Sequence, residues 1–441
     1  MQASFFQHIE ALQQRTLSAL ESHGFSGLLI GSGVLHKRFR DDNYYPFRAN
    51  PQFLQWLPFL SEQPDCWLLV RAGSKPKLFY YLPTDFWHLT PALPSEWWCE
   101  VFEIVAYSDM VELRTAMAGS ANLAVNAERQ PDFAQDSWAL NPDGLNTELD
   151  FHRAVKSEWE LHCLREANRT AVKGHIAAES CFRSSGSEYE IHQTYLQAVA
   201  HNERDMPYDN IVALNEHAAV LHYQFQQRQA PQTSRTLLLD AGANHLGYAA
   251  DITRTFTAPG SVFADLVHAL DLKQKQLLKA IGPGKDFVVL HRLMHTLIAE
   301  VLQAFDLVKL DPEAQIERGI TSVFFPHGLG HLLGLQVHDV GGWQQDAEGN
   351  LREPPKEHPF LRLTRTLEPG QVVTIEPGLY FIPSLLEPLR NSGTGSAVNW
   401  SLVDELTPYG GIRIEDNVAI TPAGIANYTR DAFAAEQRPD L

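Results

Sequence analysis

The sequence predicts an α+β protein in two parts: a smaller α/β domain over residues 1–155, and a larger domain over 156–441 in which helices pack on a largely antiparallel sheet. Three observations carry this. Short apolar runs alternate with turn-rich segments through the first third of the chain. Near residue 155 the pattern switches to long helical periodicity, and the order helix, helix, strands then occurs twice.

From Phe5, the residues Ile9, Leu12, Leu17 and Leu20 recur near helical spacing until Gly24, a residue suited to a helix C-terminus. The runs Gly27–Ile30, Trp67–Val70, Leu78–Tyr81, Val101–Val105 and Leu123–Val125 then read as strands. The stretch Tyr44–Trp98 is dense in Tyr, Phe, Trp and Pro. Core is its first reading; a surface patch for a partner subunit or an apolar substrate wall is the second.

In the larger part, Ser157 and Glu160 have capping-box spacing ahead of Leu161, Leu164, Ala167, Ala171 and Ala178, which predicts a long helix. Gly186 interrupts it, and Ser187 with Glu190 repeats the device before Ile191, Tyr195 and Val199. Strands are expected at His222–Phe225, Thr236–Asp240 and Tyr248–Phe256. Helices at Ala264–Ile281 and Val288–Phe305, divided by Gly282-Pro283-Gly284, precede strands near Ser322–Phe325, Gln371–Tyr380 and Gly410–Ile420. The stretch Gly341–Pro359, with Pro354-Pro355, reads as a loop.

With 44% hydrophobic and 20% charged residues over 441 positions, the composition excludes a disordered chain, a collagen-like repeat and a disulfide miniprotein. The 35 Lys plus Arg against 53 Asp plus Glu, a net charge of −18, argue against nucleic acid or an anionic membrane as partner. Cys66, Cys99, Cys163 and Cys181 contain no CxxC pair, which suits reduced thiols. The chain opens without a basic segment followed by an apolar one and has no apolar run of about 18 residues, so a soluble cytoplasmic protein is expected.

Four segments carry chemistry. If Leu237–Thr255 folds as a hairpin whose turn is centred between His245 and Leu246, Asp240 faces Asp251 directly. Opposed carboxylates with Cβ atoms about 4.5–5.5 Å apart repel unless a cation neutralises them. The plainer reading is that one Asp caps a turn. The apolar flanks Leu237–Leu239 and Tyr248–Ala250 weigh against it, because a lone buried carboxylate is costly.

The segment Phe324–Asp339 places His327, His331 and His338 beside Gly328, Gly330 and Gly334. An isolated histidine is usually structural, but three in an apolar, glycine-rich loop point to a site. Glu376 and Glu415 each sit among β-branched neighbours, where a solvated charge is out of place. An internal ion pair is the alternative, since Arg413 and Glu415 share a strand face. Two Asp, one His and two Glu form an oxygen-rich, hard donor set that suits Mn²⁺, Co²⁺ or Fe²⁺ better than a structural zinc. The charge of the four carboxylates matches two divalent ions, the arrangement of metal-assisted hydrolysis.

On these residues the chain resembles the pita-bread metallopeptidases, and most closely the Xaa-Pro dipeptidase (prolidase) branch that includes bacterial organophosphorus acid anhydrolases. LLLDAGA, ADITRT, HGLGH, TIEPG and GGIRIEDN match in order over most of 155–420. FRDDNYYPFRANPQF and LPTDFWH extend the likeness into the first domain.

The resemblance implies a pita-bread catalytic domain over 156–441 and an N-terminal domain over 1–155 that serves in dimerisation and as a pocket lid. It implies two divalent ions, Mn²⁺ foremost, on Asp240, Asp251, His331, Glu376 and Glu415. His327 and His338 would stand near the substrate, where either donates to the scissile carbonyl or the developing oxyanion. His222 matches another pocket position, and Arg362 the arginine that holds a terminal carboxylate, with Arg365 three residues on. Arg413 would pair with carboxylates behind the ligands. Glu376 would also carry a proton from the attacking water to the leaving nitrogen.

The implied substrate is a dipeptide with C-terminal proline, selected by its fixed ring and missing N–H, with side activity on organophosphate triesters or fluorides. An aminopeptidase P acting on longer Xaa-Pro peptides is the enzymatic alternative. A non-catalytic binding module of the same fold is the other, weakened because all five ligand positions are filled. The family also implies a homodimer, with Asp41 or Trp87 lining the pocket of the neighbouring copy.

Overall fold

In the computed structural model the opening apolar stripe forms the helix Gln2–Ser22, burying Phe5, Ile9, Leu12 and Leu20. The same unit holds a six-stranded mixed sheet whose order is Glu103–Tyr107, Lys77–Tyr81, Trp67–Val70, Gly27–Gly31, Leu123–Asn126 and Ala139–Leu140. The aromatic stretch divides by position. Phe53, Trp56, Trp67, Phe79, Tyr80 and Trp98 are core, whereas Tyr45, Phe86 and Trp87 are exposed. Phe5 packs edge-on against Phe59, Trp97 and Trp159 at 5.0–5.4 Å, a geometry that adds to area burial.

The structure describes Met1–Leu441 and divides into two units. One is Met1–Arg153 with Ser157–Glu160 and Asp346–Asn350; the other is Ala154–Lys156, Leu161–Gln345 and Leu351–Leu441. The helices Glu158–Arg183 and Glu188–Val199 both begin at the predicted boxes. The Ser157 N–H donates to Glu160 Oε2 at 2.8 Å, and the Ser187 N–H does the same with Glu190 Oε2 at 2.8 Å.

Every strand pairing in the second unit is antiparallel. One sheet has the order Ile252–Thr257, Thr236–Ala241, Ile211–Leu214, and a second has Val372–Ile375, Asp416–Thr421, Gly424–Asn427. Gly378–Tyr380 pairs with Gly411–Arg413. Single bridges Thr253↔Glu415 and Leu332↔Val373 stitch these pieces together. The helices Val262–Leu278 and Phe287–Ala304 cover one side, and Phe263, Leu270, Phe287, Ile298, Val373 and Ile412 share their core.

Three sequence expectations are corrected here. His222–Phe225 is irregular, and the strand lies upstream at Ile211–Leu214. Only Tyr223 of the expected strand is buried, its hydroxyl donating to Glu188 Oε2 at 2.8 Å. The apolar run near Ser322–Phe325 is the short helix Ile320–Phe324, entered through Gly319 at φ +69°. A short buried run lacks the periodicity that separates helix from strand, and here both Phe324 and Phe325 point into the core.

The hairpin register is also shifted. Leu246 and Gly247 both have positive φ, 51° and 87°, which makes them the two central residues of a primed turn. Asp240 therefore pairs with Thr253, not Asp251. The helix Phe287–Ala304 passes by length and composition as one that could cross a bilayer, but it is interrupted by His291, Arg292, His295 and Glu300, and 61% of it is buried inside the protein as in a core helix.

Candidate metal centre

Several strand ends meet on one face of the second unit. Asp240 lies near the end of Thr236–Ala241, and Asp251 immediately precedes Ile252–Thr257. The shifted register makes the two Asp side chains diagonal neighbours on a common face, so they still converge without direct opposition. The Asp251 N–H donates to Asn417 Oδ1 at 3.0 Å, and the Asn417 amide returns a hydrogen bond to the Asp251 carbonyl. Thr253, two residues on, donates its hydroxyl to Glu415 Oε2 at 2.7 Å.

The histidine loop is docked on the strand Val372–Ile375. The His331 N–H donates to Thr374 Oγ1 at 3.1 Å, the Thr374 N–H to the His331 carbonyl at 2.9 Å, and the Glu376 N–H to the Leu329 carbonyl at 2.8 Å. Gly330 permits the approach, since a Cβ there would lie 2.0 Å from the Thr374 carbonyl oxygen.

Asp251, His331 and Glu415 are buried and each offers a ligand atom within 4.8 Å of the other two. His331 Nδ1 donates to the Leu332 carbonyl at 2.9 Å, and Nε2 on the other side of the ring lies 3.4 Å from Asp251 Oδ2 and 3.6 Å from Glu376 Oε1, whose charges raise the imidazole against its burial. Asp240 stands outside that trio but acts electrostatically on Asp251, Glu376 and Glu415. Its Oδ1 accepts from the Tyr208 hydroxyl at 2.8 Å and its Oδ2 from Arg413 at 2.6 Å. Arg413 also donates to Tyr380 Oη (2.9 Å) and Thr253 Oγ1 (3.2 Å).

The electrostatics show a pocket short of positive charge. Burial, followed by the charges of Asp251, Glu376 and Asp240, pushes Glu415 well above the usual carboxylate range. Burial pushes Glu376 up to about 7 against the pull of His331. Burial also raises Asp240 in spite of Arg413. Asp251 alone is lowered, because the hydrogen bond and charge of His331 overcome its burial. A buried cluster of four carboxylates with one guanidinium fits divalent cations by donor chemistry.

His327 and His338 flank the centre. His327 Nδ1 donates to the Gly328 carbonyl at 2.8 Å and its Nε2 accepts from the Tyr380 hydroxyl at 2.9 Å, with Nδ1 3.8 Å from Glu376 Oε2. Burial, then Arg413, holds its imidazole neutral, down to about 3. The His338 ring stands edge-on to His331 at 4.4 Å, and burial lowers it to about 4. His222 and Arg362 are exposed, and both act electrostatically on His338. Arg365, by contrast, is buried and donates to Glu368 at 2.8 Å. Asp41 and Trp87 belong to the other unit. Both are exposed, Trp87 at 78%, and Asn43 hydrogen bonds hold the Asp41 carboxyl below the usual range.

Sequence reasoning missed Tyr208, Thr253 and Tyr380. Thr253 was legible, because it shares a strand face with Asp251. Tyr208 lies in an irregular segment and carries no such signal. It reaches Asp240 past Gly242, whose missing Cβ leaves room for the Tyr208 ring 2.8 Å away.

Residues 162–422 match the model of metallopeptidase family M24, and residues 3–151 that of the Xaa-Pro dipeptidase N-terminal domain. Over 432 residues the chain is 46% identical to an Xaa-Pro dipeptidase of Aeromonas hydrophila, covering 97% of this chain and 98% of the relative. It is 47% identical over 431 residues to an Xaa-Pro dipeptidase of Pseudoalteromonas haloplanktis, with the same coverage. Zn-substituted Escherichia coli aminopeptidase P in complex with product has a TM-score of 0.74 at 24% identity, covering 100% of this chain and 98% of that one. Escherichia coli aminopeptidase P with the inhibitor Pro-Leu gives 0.74 at 23% identity with the same coverage. These two likenesses show the pita-bread fold.

Proposed function

The chain belongs to metallopeptidase family M24, and we propose that its reaction is hydrolysis of Xaa-Pro dipeptides at two divalent ions, Mn²⁺ foremost, held by Asp240, Asp251, His331, Glu376 and Glu415. The observation that carries this is the meeting of Asp251, His331 and Glu415 within 4.8 Å in a pocket too rich in carboxylate to be neutral alone. Near-full-length likeness to Xaa-Pro dipeptidases supports the dipeptide as substrate.

When bound, the ions supply Lewis acidity to the scissile carbonyl and make a water acidic near neutral pH. The remaining steps belong to side chains. Glu376, only 17% exposed and beside His327 and His331, takes a proton from the attacking water on a carboxylate oxygen. It returns that proton to the proline nitrogen as the C–N bond breaks. His338, kept neutral by burial, can donate its N–H to the oxyanion. His327 is committed to Gly328 and Tyr380, and so orders the pocket wall beside Glu376.

Arg362 pairs with the free carboxylate of a C-terminal proline, which limits substrates to dipeptides. His222 lines the same mouth. Organophosphate triesters and fluorides are side substrates in this reading, because a tetrahedral phosphorus centre mimics the hydrolytic intermediate. The enzyme acts in the cytoplasm as a homodimer in which residues 1–155 cover the partner's pocket, with Asp41 or Trp87 lining it.

Protein reconstituted with Mn²⁺ should release proline from Leu-Pro and leave a tripeptide that begins Leu-Pro largely intact. Equal turnover of both would make it an aminopeptidase P. No proline from any dipeptide would leave a binding module.

A further inference from the structure

A second cluster of metal-binding side chains lies outside the carboxylate pocket, and no step of the proposed reaction uses it. His291 and His295 stand one turn apart on the helix Phe287–Ala304, and His358 meets them from the chain that follows Leu351. The ring centroids are 4.7 Å apart for His291 and His295, 4.3 Å for His291 and His358, and 4.5 Å for His295 and His358. Each histidine offers a ring nitrogen, and these nitrogens lie within 4.8 Å of one another.

Two features separate this group from ordinary packed histidines. His291 and His295 are 1% and 2% exposed, yet Nδ1 and Nε2 of His291 and Nε2 of His295 have no hydrogen-bond partner. Buried polar atoms without partners are rare, and three in one cluster call for an occupant. The outer nitrogen of His295 is already engaged, with Nδ1 2.9 Å from Thr321 Oγ1. When Nδ1–H donates to that hydroxyl, Nε2 presents its lone pair to the cluster, the arrangement by which an outer hydrogen bond orients a metal-binding imidazole.

Burial lowers His291 to about 2 and His295 to about 3, and it also lowers His358. All three rings are therefore neutral at working pH, as metal ligation requires.

We propose that His291, His295 and His358 form a mononuclear site for a late first-row divalent ion, zinc by preference, that clips the segment bearing His358 to the helix Phe287–Ala304. Three imidazoles leave a fourth tetrahedral position for water or a small anion. Nitrogen-only donors favour later ions than the oxygen-rich pocket does, so the two sites sort metals by ligand chemistry. Polar contacts between the same two segments already hold them in place. Arg292 donates to Glu357 Oε1 at 2.8 Å, and Arg352 to Asp286 Oδ2 at 2.7 Å. The site does not depend on the reaction proposed above.

The test is metal content. Full-length protein is stripped with chelator, loaded with Mn²⁺, incubated with micromolar Zn²⁺ and desalted, and its zinc is counted beside that of His358→Phe and His291→Phe. Wild type should hold one more zinc equivalent than either variant, and zinc should raise its thermal midpoint above that of the manganese-loaded form while leaving His358→Phe unmoved. Should His291→Phe fail to fold, His358→Phe decides, because that side chain is only half-buried. Equal zinc content in wild type and His358→Phe would overturn the proposal and leave the cluster as a packed group of neutral rings.

Discussion

Replacing Arg413 by Met tests how the carboxylate pocket tolerates its own charge. The guanidinium is 4% exposed and donates to Asp240 at 2.6 Å, Tyr380 at 2.9 Å and Thr253 at 3.2 Å. Methionine keeps most of the volume but leaves Asp240 a buried carboxylate with Tyr208 as its remaining donor. Removing one partner of a buried ion pair costs roughly 3–5 kcal/mol. For a unit of this size, at about 2 °C per kcal/mol, that is a fall in midpoint of about 6–10 °C. Thermal unfolding followed by circular dichroism in EDTA measures it directly. With Mn²⁺ added the deficit should shrink, because bound cations supply charge that Arg413 no longer does. A deficit below about 1 kcal/mol in EDTA, the range of exposed ion pairs, would refute the claim that Arg413 neutralises this pocket. So would one that Mn²⁺ leaves unchanged.

Two further outcomes are expected. Burial works to raise Asp416, but Arg430 and Arg254 prevail and lower its carboxyl to about 2. A depressed acid stabilises the fold at pH values above its unfolded pKa and loses that contribution as pH falls through the folded one. In EDTA, Asp416→Asn should therefore lose roughly 2–3 kcal/mol at pH 7. The gap to wild type should close between about pH 4 and pH 2, as urea titrations at each pH would reveal; a gap independent of pH contradicts the assignment. Tyr208→Phe removes the hydroxyl on Asp240 Oδ1 and should weaken Mn²⁺ binding about tenfold with little change in stability. A calorimetric titration showing wild-type affinity would mean that this hydroxyl does not orient Asp240.

Local chemistry made much of this protein readable from the chain. Ser157 with Glu160 and Ser187 with Glu190 announced two helix starts, because a capping box is closed by residues three apart. Carboxylates flanked by apolar strand residues marked Asp240, Asp251, Glu376 and Glu415, since burial of an ionised group demands compensation wherever the chain runs.

Tertiary structure decided what depends on distant neighbours. The hairpin register followed from positive φ at Leu246, a residue whose composition gives no warning of that conformation. Ile320–Phe324 became helix because the core accepts both phenylalanines from that geometry, which periodicity over five residues cannot express. That Arg365 is buried against Glu368 while Arg362, three residues earlier, is exposed likewise depends on the folded chain. The meeting of His358 with His291 and His295 joins residues more than sixty positions apart, so only the folded chain could bring their unpaired nitrogens together.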